Sequence, residues 1–454
     1  MPIQSINPAT EEIIETYAEL TEDQLYAEID KSHDAFQEWK ITSFSERRQH
    51  MLNAARVLRD NRESYARVLT LEMGKPIKQA YSEVEKCAWV CEYYANNAGE
   101  ILKKETVETD ASESYVQFDP LGVILAVMPW NFPYWQVFRF AAPAIMAGNV
   151  GLLKHSSNVP MSALSIEEVF LRAGFPLNVF RNLFIGSSMV EKVISHPKVR
   201  AATLTGSEGA GRTVGSTAGR NLKPSVLELG GSDPFIVLKD ADLNQAVKTA
   251  VEARIINNGQ SCIAAKRFIV VKDVIDEFER RFTSAVKNLK IGNPMDEQND
   301  LGPMAREDLL LELDKLVKRS VAMGARLLTG GERLGMKGYY YPATVLSGVK
   351  PGMPVFDEET FGPVAALITA QDEDDAIRIA NESAFGLGAS LWTQNLERAK
   401  RLAYRIESGS VFINGMVKSD PRLPFGGIKI SGYGRELSHY GIKEFVNIKT
   451  VWIA

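Results

Sequence analysis

The sequence predicts an α/β protein with two Rossmann-like lobes and a β-rich arm. Short, continuously apolar strands alternate with helical segments from residue 121 onward, a pattern typical of βαβ units in a largely parallel sheet. A second series of the same kind begins after Gly230-Gly231, so the two lobes are expected to abut there. Residues 103–118 are instead polar and alternating, which predicts an exposed strand or hairpin arm.

The helices and strands are predicted in chain order from apolar spacing. Residues 21–100 are expected to be helical, because apolar residues recur at helical spacing after a capping signal at Thr21. The strands of the two lobes are predicted at 123–127, 150–154, 201–204, 235–238 and 268–271. The chain ends in a β-rich segment at 446–453 that has to pair with another strand, and the arm at 103–118 of a neighbouring subunit is a candidate partner.

Length and composition exclude several classes of protein. The 454 residues are 45% hydrophobic and 24% charged, with a net charge of −5, which is ordinary for a globular chain of about three domains. No basic block is present, so nucleic acid is not an expected partner. The most apolar run, residues 138–153, is interrupted by Pro143 and Asn149, so no membrane association is expected. The N-terminus shows no signal-peptide pattern, and a cytoplasmic location is expected.

The chain has three cysteines and five histidines. An odd and sparse set of cysteines predicts a reducing compartment instead of a disulfide framework. Cys87 and Cys91 lie in a helical segment, where packing is the better interpretation. The histidines form no cluster with metal-ligand spacing, so no metal site is expected.

The stretch Asn257-Asn258-Gly259-Gln260-Ser261-Cys262 places one cysteine between a glycine turn and a strand-like run. A thiol is the most nucleophilic common side chain, and a helix N-terminus or a nearby cation can lower its pKa. Cys262 is therefore predicted to be a covalent nucleophile. The alternative is a small buried hydrophobic residue, which is the usual role of a free cysteine.

Two polar residues at strand ends are predicted to serve the same site. Glu228 ends a strand beside two glycines, where a carboxylate can act as a general base toward water. The alternative is a solvated strand-end glutamate. Asn131 follows a buried strand and lies between Pro129 and Pro133, where its amide can donate a hydrogen bond to a developing oxyanion. The alternative is a turn asparagine that bonds to its own backbone.

The segment Thr205-Gly206-Ser207-Glu208-Gly209-Ala210-Gly211 follows a strand and opens a helix, a geometry that points backbone N–H groups at a phosphate. Its spacing only approximates the dinucleotide-binding glycine pattern, so alone it is a weak signal. Lys154 ends a neighbouring strand and is placed to meet a ribose hydroxyl or phosphate, although such lysines are more often solvated.

Six ordered blocks make the chain resemble the aldehyde dehydrogenase superfamily over essentially its whole length. The blocks are Pro129-Trp130-Asn131-Phe132-Pro133, Thr205-Gly206-Ser207, Glu228-Leu229-Gly230-Gly231, Gly259-Gln260-Ser261-Cys262, Glu359-Thr360-Phe361-Gly362-Pro363 and Pro424-Phe425-Gly426-Gly427. The resemblance implies an NAD(P)-binding part at 1–102 and 122–230 with part of 428–445, a catalytic part at 231–427, and an oligomerisation arm at 103–121 and 446–454. It also implies a homodimer or a dimer of dimers.

The resemblance implies a role for each matched residue. Cys262 would be the nucleophile, the Asn131 side chain and the backbone N–H of Cys262 would hold the oxyanion, and Glu228 would be the general base for deacylation. Contacts with the cofactor are implied for Trp130, Lys154, Ser157, Gly206, Ser207, Gly211, Glu359 and Phe361, with Glu359 on the nicotinamide-side ribose. The implied reaction forms a thiohemiacetal and then a thioester on cysteine, and Glu228 favours hydrolysis of the thioester over transfer to coenzyme A.

Ser157 bears on the choice of cofactor. Many NAD-preferring members carry a glutamate three residues after the Lys154 position, and this chain has Ser157 there. A small neutral residue leaves room for a 2′-phosphate and removes a repelling charge. NADP is therefore the expected cofactor, with NAD weaker.

Arg139 and Ser419 match residues of the succinate-semialdehyde dehydrogenases of this superfamily. Arg139 is expected to bind a carboxylate at the far end of a short substrate, which makes succinate semialdehyde the expected substrate. One alternative is a broad-specificity aliphatic or aromatic aldehyde dehydrogenase in which Arg139 is structural. A more remote alternative is a non-catalytic protein of the same fold.

The chain departs from its relatives at three positions. Phe140 stands where many members have a lysine, Ile256 where some succinate-semialdehyde members have a second arginine, and Ala264 where some have a redox-sensing cysteine. The last two departures favour a bacterial-type relative. With one arginine instead of two, glutarate semialdehyde or medium aliphatic aldehydes are expected to compete as substrates.

Overall fold

The computed structural model describes residues 3–454, so residues 1 and 2 of the predicted cofactor-binding part lie outside the described residues. Within that range the chain forms a six-stranded sheet, a seven-stranded sheet and a separate three-stranded sheet, besides two short strand pairs. The predicted α/β class with two Rossmann-like lobes and a β arm is confirmed. None of the helices in residues 3–454 is long and apolar enough to cross a membrane.

The described chain begins with an antiparallel hairpin and four helices. These elements are β1 (Ile3–Asn7), β2 (Glu12–Tyr17), α1 (Glu22–Trp39), α2 (Phe44–Asp60), α3 (Arg62–Met73) and α4 (Ile77–Ile101). The predicted capping signal is confirmed: the Thr21 hydroxyl accepts a bond from the backbone N–H of Gln24, whose side chain accepts one from the backbone N–H of Thr21. Cys87 and Cys91 are buried on α4, as packing residues should be.

The first lobe alternates strands and helices around the six-stranded sheet. Its elements are β5 (Val123–Met128), α5 (Trp135–Met146), β6 (Val150–His155), α6 (Pro160–Arg172), β7 (Phe180–Asn182), α7 (Val190–Ser195), β8 (Val199–Thr205), α8 (Glu208–Arg220) and β9 (Ser225–Glu228), with a 3₁₀ turn at Ser187–Met189. The pairings among β5 to β9 are parallel, and β5 lies between β6 and β8. Because parallel strands end at the same edge, the segments that follow β5, β8 and β9 come together there.

The second lobe repeats this alternation around the seven-stranded sheet. The elements of this part of the chain are β10 (Pro234–Val237), α9 (Leu243–Ile255), β11 (Arg267–Val271), α10 (Ile275–Lys287), α11 (Glu307–Ala322), β12 (Arg326–Thr329), β13 (Thr344–Ser347), α12 (Pro354–Asp357), β14 (Val364–Ala370), α13 (Glu373–Asn381), β15 (Phe385–Gly386), β16 (Gly388–Trp392), α14 (Leu396–Ala403) and β17 (Ser410–Ile413), with a 3₁₀ turn at Ile256–Gly259. The strand order is β12, β13, β14, β11, β10, β16, β17, with β12 antiparallel to β13 and the other pairs parallel. Apolar clusters cover both faces of this sheet.

After β17 the chain returns to the first lobe. The elements of this return are β18 (Ile428–Lys429), which pairs with β15, β19 (Gly432–Tyr433), which pairs antiparallel with β9, and α15 (Ser438–Gly441). Gly432 has a φ of 112°, and a Cβ there would lie 1.9 Å from the carbonyl oxygen of Leu227, so glycine is required. Gly432 stands directly opposite Glu228, and the return therefore brings residues 425–436 beside the end of β9.

The arm is a three-stranded antiparallel sheet. Its strands are β3 (Glu105–Thr106), β4 (Glu113–Pro120) and β20 (Val446–Ile453). β20 pairs with β4 along its whole length, from Val446 opposite Pro120 to Ile453 opposite Glu113. The expectation that this strand pairs with the arm of a neighbouring subunit is wrong, because the arm of the same chain supplies the partner. β20 forms one edge of the sheet.

Candidate active site

The predicted nucleophile and the predicted substrate-binding residues line one cavity of about 460 Å³. It lies between α4 and α5 of the first lobe and the segments 255–263 and 416–425. Cys262, Arg139 and Ser419 line it directly. The aromatic rings in its wall are those of Phe132, Trp135 and Phe425. A cavity with apolar walls and a few polar groups suits a small organic ligand.

Cys262 is presented by a loop with an unusual backbone. Asn257 and Asn258 each have a φ of 57°, in the left-handed region that costs most residues conformational energy. Gly259 follows with a φ of 72°, and a Cβ there would lie 2.4 Å from the carbonyl carbon of Gly362. The loop is therefore strained, and its glycine is required.

Hydrogen bonds hold this strained loop in place. The Asn257 amide donates to the carbonyl oxygens of Asn131 at 2.6 Å and Gln260 at 2.9 Å. The Asn258 amide donates to two more carbonyl oxygens, one before α4 and one before α11, each at 2.9 Å. Because both lobes contribute acceptors, the position of Cys262 is fixed where the lobes meet.

The Cys262 side chain is only part-exposed. Burial raises its pKa to about 12, while the charges of Lys266 and Arg139 act in the opposite direction. The Lys266 ammonium donates to the carbonyl oxygens of Ser261 at 2.9 Å and Cys262 at 2.7 Å. The cations that can activate a thiol are present, but desolvation outweighs them. Burial thus favours the neutral thiol of Cys262 over the thiolate that attacks an aldehyde.

Asn131 lies in the loop between β5 and α5 and is 4% exposed. Its Nδ2 donates to the carbonyl oxygen of Gln260 at 3.1 Å, which ties it to the Cys262 loop and leaves its second amide hydrogen for another acceptor. The Glu83 carboxylate accepts bonds from the backbone N–H groups of Tyr134 at 2.9 Å and Trp135 at 3.0 Å, which fixes the end of the same loop. The oxyanion role of Asn131 stays a prediction.

Glu228 is the last residue of β9 and is 3% exposed. Neither of its carboxylate oxygens has a hydrogen-bond partner within residues 3–454. Burial and then the carboxylate of Glu436 raise the pKa of Glu228 well above its ordinary value, while Arg139 acts to lower it. A buried carboxyl with a raised pKa is a strong base once ionised, which suits the predicted role.

Arg139 is buried against the C-terminal return. Its guanidinium forms an ion pair with Glu436, its Nη2 donates to Oγ1 of Thr205 at 3.3 Å, and its Cζ lies 4.5 Å from the ring centroid of Phe425. The side chain predicted to bind a substrate carboxylate thus already has a carboxylate partner. Sequence reasoning missed Glu436, although the glycine-rich turn before it was a signal that the chain approaches another strand closely.

Ser419 contacts Lys86, the second site residue that sequence reasoning missed. Its hydroxyl accepts a bond of 2.7 Å from Nζ of Lys86 on α4. Lys86 lines the same cavity, and its Nζ lies 4.4 Å from the ring centroid of Trp135. A lysine on a long helix ordinarily reaches water, so the sequence offered no sign of this position.

Three of the predicted cofactor residues lie together where the lobes meet. Glu359 accepts a bond of 3.0 Å from the backbone N–H of Gly231 and forms a 3.3 Å ion pair with Lys266. Phe361, two residues further on, stands edge-on to Trp130 of the first lobe, with ring centroids 5.6 Å apart. The second lobe therefore presents a carboxylate and an aromatic ring to the edge of the first sheet.

The residues predicted to bind a phosphate lie at the N-terminus of α8. The Ser207 hydroxyl caps the helix by accepting a backbone N–H of the first turn at 3.4 Å. The Gly206 N–H donates to the carbonyl oxygen of Glu228 at 3.0 Å, so it is not free for a phosphate. A Cβ on Gly211 would lie 2.5 Å from the Leu229 side chain, so this glycine allows close packing of α8 on the strand beneath it. It also borders a cavity of about 300 Å³.

Lys154 and Ser157 stand at the end of β6. Lys154 is part-buried and makes no ion pair within the described range of the chain. Burial lowers the pKa of Lys154, and the carboxylate of Glu19 acts against this. Ser157 is exposed in the turn that follows. A part-buried ammonium that forms no ion pair in residues 3–454 and is followed by a small exposed residue fits a phosphorylated dinucleotide.

Comparison with known proteins extends these observations. A model of the aldehyde dehydrogenase family matches residues 1–451. A probable succinate-semialdehyde dehydrogenase (NADP(+)) of Synechocystis sp. is 53% identical over 454 residues, which cover all of both chains. Succinate-semialdehyde dehydrogenase (NADP(+)) 1 of Mycobacterium tuberculosis is 50% identical over 457 residues, again with all of both chains covered.

Solved structures agree with these matches. The succinic semialdehyde dehydrogenase from Streptococcus pyogenes, solved in complex with NADP+, is 40% identical, with a TM-score of 0.97 over 99% of each chain. A structure of Gox0499 is 40% identical, with a TM-score of 0.99 over all of both chains. The resemblance drawn from the six sequence blocks is confirmed, and the chain belongs to the aldehyde dehydrogenase family.

Proposed function

We propose that the chain oxidises succinate semialdehyde to succinate, with NADP as its preferred cofactor. The observation that carries this proposal is the cavity that joins the thiol of Cys262 to the cationic side chains of Arg139 and Lys86. An aldehyde bound at the thiol would direct a carboxylate at the other end of a four-carbon chain toward that positive region. The names of the relatives from Synechocystis and Mycobacterium tuberculosis agree with this substrate and cofactor.

The first half of the reaction takes place at Cys262. Sγ gives up its proton to solvent water and adds to the aldehyde carbon, and the carbonyl oxygen becomes an oxyanion as the carbon–sulfur bond forms. The Asn131 amide and the backbone N–H of Cys262 are the donors that would stabilise this oxyanion. When bound, the nicotinamide ring supplies the acceptor for the hydride that leaves the same carbon.

The second half of the reaction depends on Glu228. The substrate is now bound to Sγ as a thioester. The ionised carboxylate of Glu228 accepts a proton from a water molecule, whose oxygen adds to the thioester carbon. Collapse of this adduct breaks the carbon–sulfur bond and releases the carboxylic acid. The departing thiolate takes up the proton held by Glu228, which restores the thiol and the ionised carboxylate.

The proposal assigns the cofactor to the groove between the lobes. Ser207 and the free N–H groups of α8 would receive the pyrophosphate, and Lys154 with Ser157 would receive the 2′-phosphate. Glu359 would bind the nicotinamide-side ribose. The remaining residues assigned to the cofactor site are Trp130, Gly206, Gly211 and Phe361.

Ser157→Glu is expected to shift the preference from NADP toward NAD. A carboxylate at this position would repel a 2′-phosphate and accept a bond from a 2′-hydroxyl, so kcat/KM for NADP should fall at least about 10-fold. Ser157→Gln is the matched control, because it adds similar volume without charge. Dissociation constants of both nucleotides, measured by calorimetry, should follow the kinetic change. Unchanged NADP binding in Ser157→Glu would place the 2′-phosphate elsewhere.

One observation favours a second function, the oxidation of aliphatic or aromatic aldehydes in general. The ion pair between Arg139 and Glu436 gives Arg139 a structural role, as the broad-specificity alternative requires. The third alternative, a non-catalytic protein of this fold, has less support, because Cys262, Glu228 and Asn131 are all present in the chain.

A substrate panel separates these functions. Succinate semialdehyde should give a kcat/KM at least about 10-fold above that of butanal, which has the same chain length without the charge. The same panel run with each nucleotide should favour NADP. Similar values for succinate semialdehyde, butanal and benzaldehyde would support the broad-specificity enzyme. Absence of nicotinamide reduction with every aldehyde would support the non-catalytic protein.

We also propose that the chain forms a homo-oligomer and is located in the cytoplasm. The exposed edge of β20 carries the half-exposed side chains of Ile448 and Trp452, a surface suited to another subunit. We assign the arm to 103–121 and 446–454, the cofactor-binding part to 1–102 and 122–230 with part of 428–445, and the catalytic part to 231–427. We assign the assembly as a homodimer or a dimer of dimers. Three free cysteines accord with a reducing compartment, and we assign the chain to the cytoplasm. Sedimentation velocity that finds only a monomer would contradict the assembly.

A further inference from the structure

Lys266, the residue before β11, is a cation that takes no part in the two steps proposed for Cys262 and Glu228. Its side chain is fully buried. Burial of an ammonium costs free energy unless hydrogen bonds and an opposite charge compensate it. A lysine in this position therefore depends on its partners, and the identity of those partners indicates what it does.

All three donors of the Lys266 ammonium have acceptors. Nζ donates to the carbonyl oxygens of Ser261 at 2.9 Å and Cys262 at 2.7 Å, and it lies 3.3 Å from Oε1 of Glu359. Two of the three acceptors thus belong to the predicted nucleophile and to the residue before it. The third belongs to the carboxylate assigned to the nicotinamide-side ribose. The ammonium therefore connects the loop of the nucleophile with a residue of the cofactor groove.

The backbone of Gly231 closes this set of contacts. Oε1 of Glu359 accepts a bond of 3.0 Å from the Gly231 N–H. A Cβ on Gly231 would lie 2.7 Å from the carbonyl oxygen of Cys262, so glycine is needed for that carbonyl to come so close. The carbonyl of Cys262 is thus held between Gly231 and the Lys266 ammonium, and loss of the ammonium would release it.

The main chain of Lys266 is itself fixed by two neighbouring segments. Its N–H donates to the carbonyl oxygen of Asp233 at 3.1 Å, and its carbonyl oxygen accepts a bond of 3.0 Å from the N–H of Ala366 on β14. Since β10 and β14 lie on either side of β11, the Lys266 backbone cannot follow a displaced side chain. The position of the ammonium is therefore set by the sheet of the second lobe.

The charged groups around Lys266 link its charge to the cofactor groove. Burial lowers the pKa of Lys266, and the carboxylate of Glu359 is the main group that acts against this. Arg254 also lowers the pKa, while Asp233 and Cys262 act to raise it. Within residues 3–454, Glu359 forms the only ion pair of Lys266. Lys266 in its charged form therefore depends on Glu359.

We propose that Lys266 is a positioning residue of the oxidation reaction, which fixes the backbone of Cys262 and supplies a positive charge near its thiol. The hydrogen bond to the Cys262 carbonyl restricts the direction in which the side chain leaves the loop. The charge favours the thiolate that attacks the aldehyde. The inference goes beyond the proposed substrate and cofactor, and it rests on the proposed nucleophilic role of Cys262.

Alkylation of Cys262 by iodoacetamide tests the charge without aldehyde or nucleotide. Lys266→Met should lower the rate constant at neutral pH about 10-fold, because the reaction follows the thiolate fraction. Lys266→Gln keeps an amide donor for the carbonyl oxygens but has no charge, and its loss should be similar. Lys266→Arg keeps both donors and charge, and it should restore most of the rate. Lys272→Met removes an exposed lysine at the other end of β11 and is the matched control, with an unchanged rate.

Ionisation of the thiol supplies a readout that a merely structural role would not move. The far-ultraviolet absorbance of the thiolate, measured against Cys262→Ala, follows this ionisation directly. Lys266 and then Arg139 act to lower the pKa of Cys262, while Glu359 and Asp233 act to raise it. The titration should therefore be displaced toward higher pH in Lys266→Met, by about one pH unit. Lys266→Arg should titrate like the wild type.

Glu359→Gln tests the same charge with Lys266 in place, and it serves if the Lys266 variants do not fold. Glutamine can still accept the Gly231 N–H but carries no negative charge. Alkylation of Cys262 should therefore be faster than in the wild type, and slower alkylation would contradict the inference.

The activity of Lys266→Met completes the test. Its kcat/KM should fall about 10-fold or more for succinate semialdehyde and for butanal alike, because both aldehydes react with the same sulfur. Wild-type rates of alkylation in Lys266→Met and Lys266→Gln would overturn the inference. A wild-type protein that oxidises no aldehyde, with alkylation still dependent on Lys266, would instead contradict the proposed function.

Discussion

Cys262→Ala is expected to abolish aldehyde oxidation, with kcat/KM lower by at least about 10⁴-fold. A methyl side chain cannot bond to the aldehyde carbon, so neither the thiohemiacetal nor the thioester can form. Initial rates of nicotinamide reduction at saturating NADP measure the loss. NADP binding measured by calorimetry should be retained, since Cys262 lies on the substrate side of the groove.

The chain offers a matched control for this change. Cys91→Ala removes a thiol that is buried on α4, and burial raises the pKa of Cys91 far above neutral pH. Its activity should stay near that of the wild type. If Cys262→Ala and Cys91→Ala retained similar activity, the reaction would not use a covalent bond to Cys262.

Glu228→Gln is expected to separate the two halves of the reaction. Glutamine keeps the shape of the side chain but cannot accept a proton from water, so steady-state kcat should fall about 10²- to 10³-fold. The first turnover should still reduce about one nicotinamide per subunit, because Cys262 and Asn131 are unchanged. Stopped-flow absorbance would show this burst. A variant that lost the burst in proportion to kcat would place Glu228 in the first half of the reaction.

The pH dependence of wild-type deacylation follows from the same residue. Burial and the carboxylate of Glu436 raise the pKa of Glu228 well above its ordinary value, which favours the neutral carboxyl over the ionised base. The ionised fraction, and with it the rate of thioester hydrolysis, should increase as pH rises toward the pKa. The increase should be absent in Glu228→Gln.

Local sequence patterns were sufficient to predict much of the fold and part of the site. Strands such as β5 are apolar on both faces, so the continuous run in the sequence identifies them without reference to the rest of the chain. Cys262 follows a recognisable glycine turn, whereas Glu228 ends one buried strand and Asn131 follows another. The structure ties Asn131 to the strained turn before Cys262 through hydrogen bonds, and Glu228 ends a strand of the same parallel sheet that Asn131 follows.

The features that sequence reasoning missed depend on contacts between distant segments. Arg139 and Glu436 are almost 300 positions apart, and nothing in either segment specifies the other. In the sequence, Lys86 has the pattern of a solvated helix residue. Only the structure shows that its ammonium contacts the ring of Trp135 and the hydroxyl of Ser419. The raised pKa of Cys262 likewise comes from burial, which depends on the packing of both lobes.

The arm shows a second limit of sequence-based prediction, which concerns the partner of a strand. The sequence indicated two strands that need partners, β4 and β20, and both strands are present. A pairing pattern does not specify whether the partner belongs to the same chain or to a neighbouring one. The short segment that contains α15 leads directly into β20. It returns the chain to the arm, so β20 pairs with β4 of its own chain.

The central claim is that the substrate is bound covalently to Cys262 between oxidation and hydrolysis. The most direct measurement is the mass of Glu228→Gln after it is mixed with succinate semialdehyde and NADP and quenched in acid. The account predicts one added succinyl group per subunit, located by digestion on the peptide that carries Cys262. It predicts no adduct in the double variant with Cys262→Ala. Nicotinamide reduction without an added group, or with the group on another residue, would contradict it.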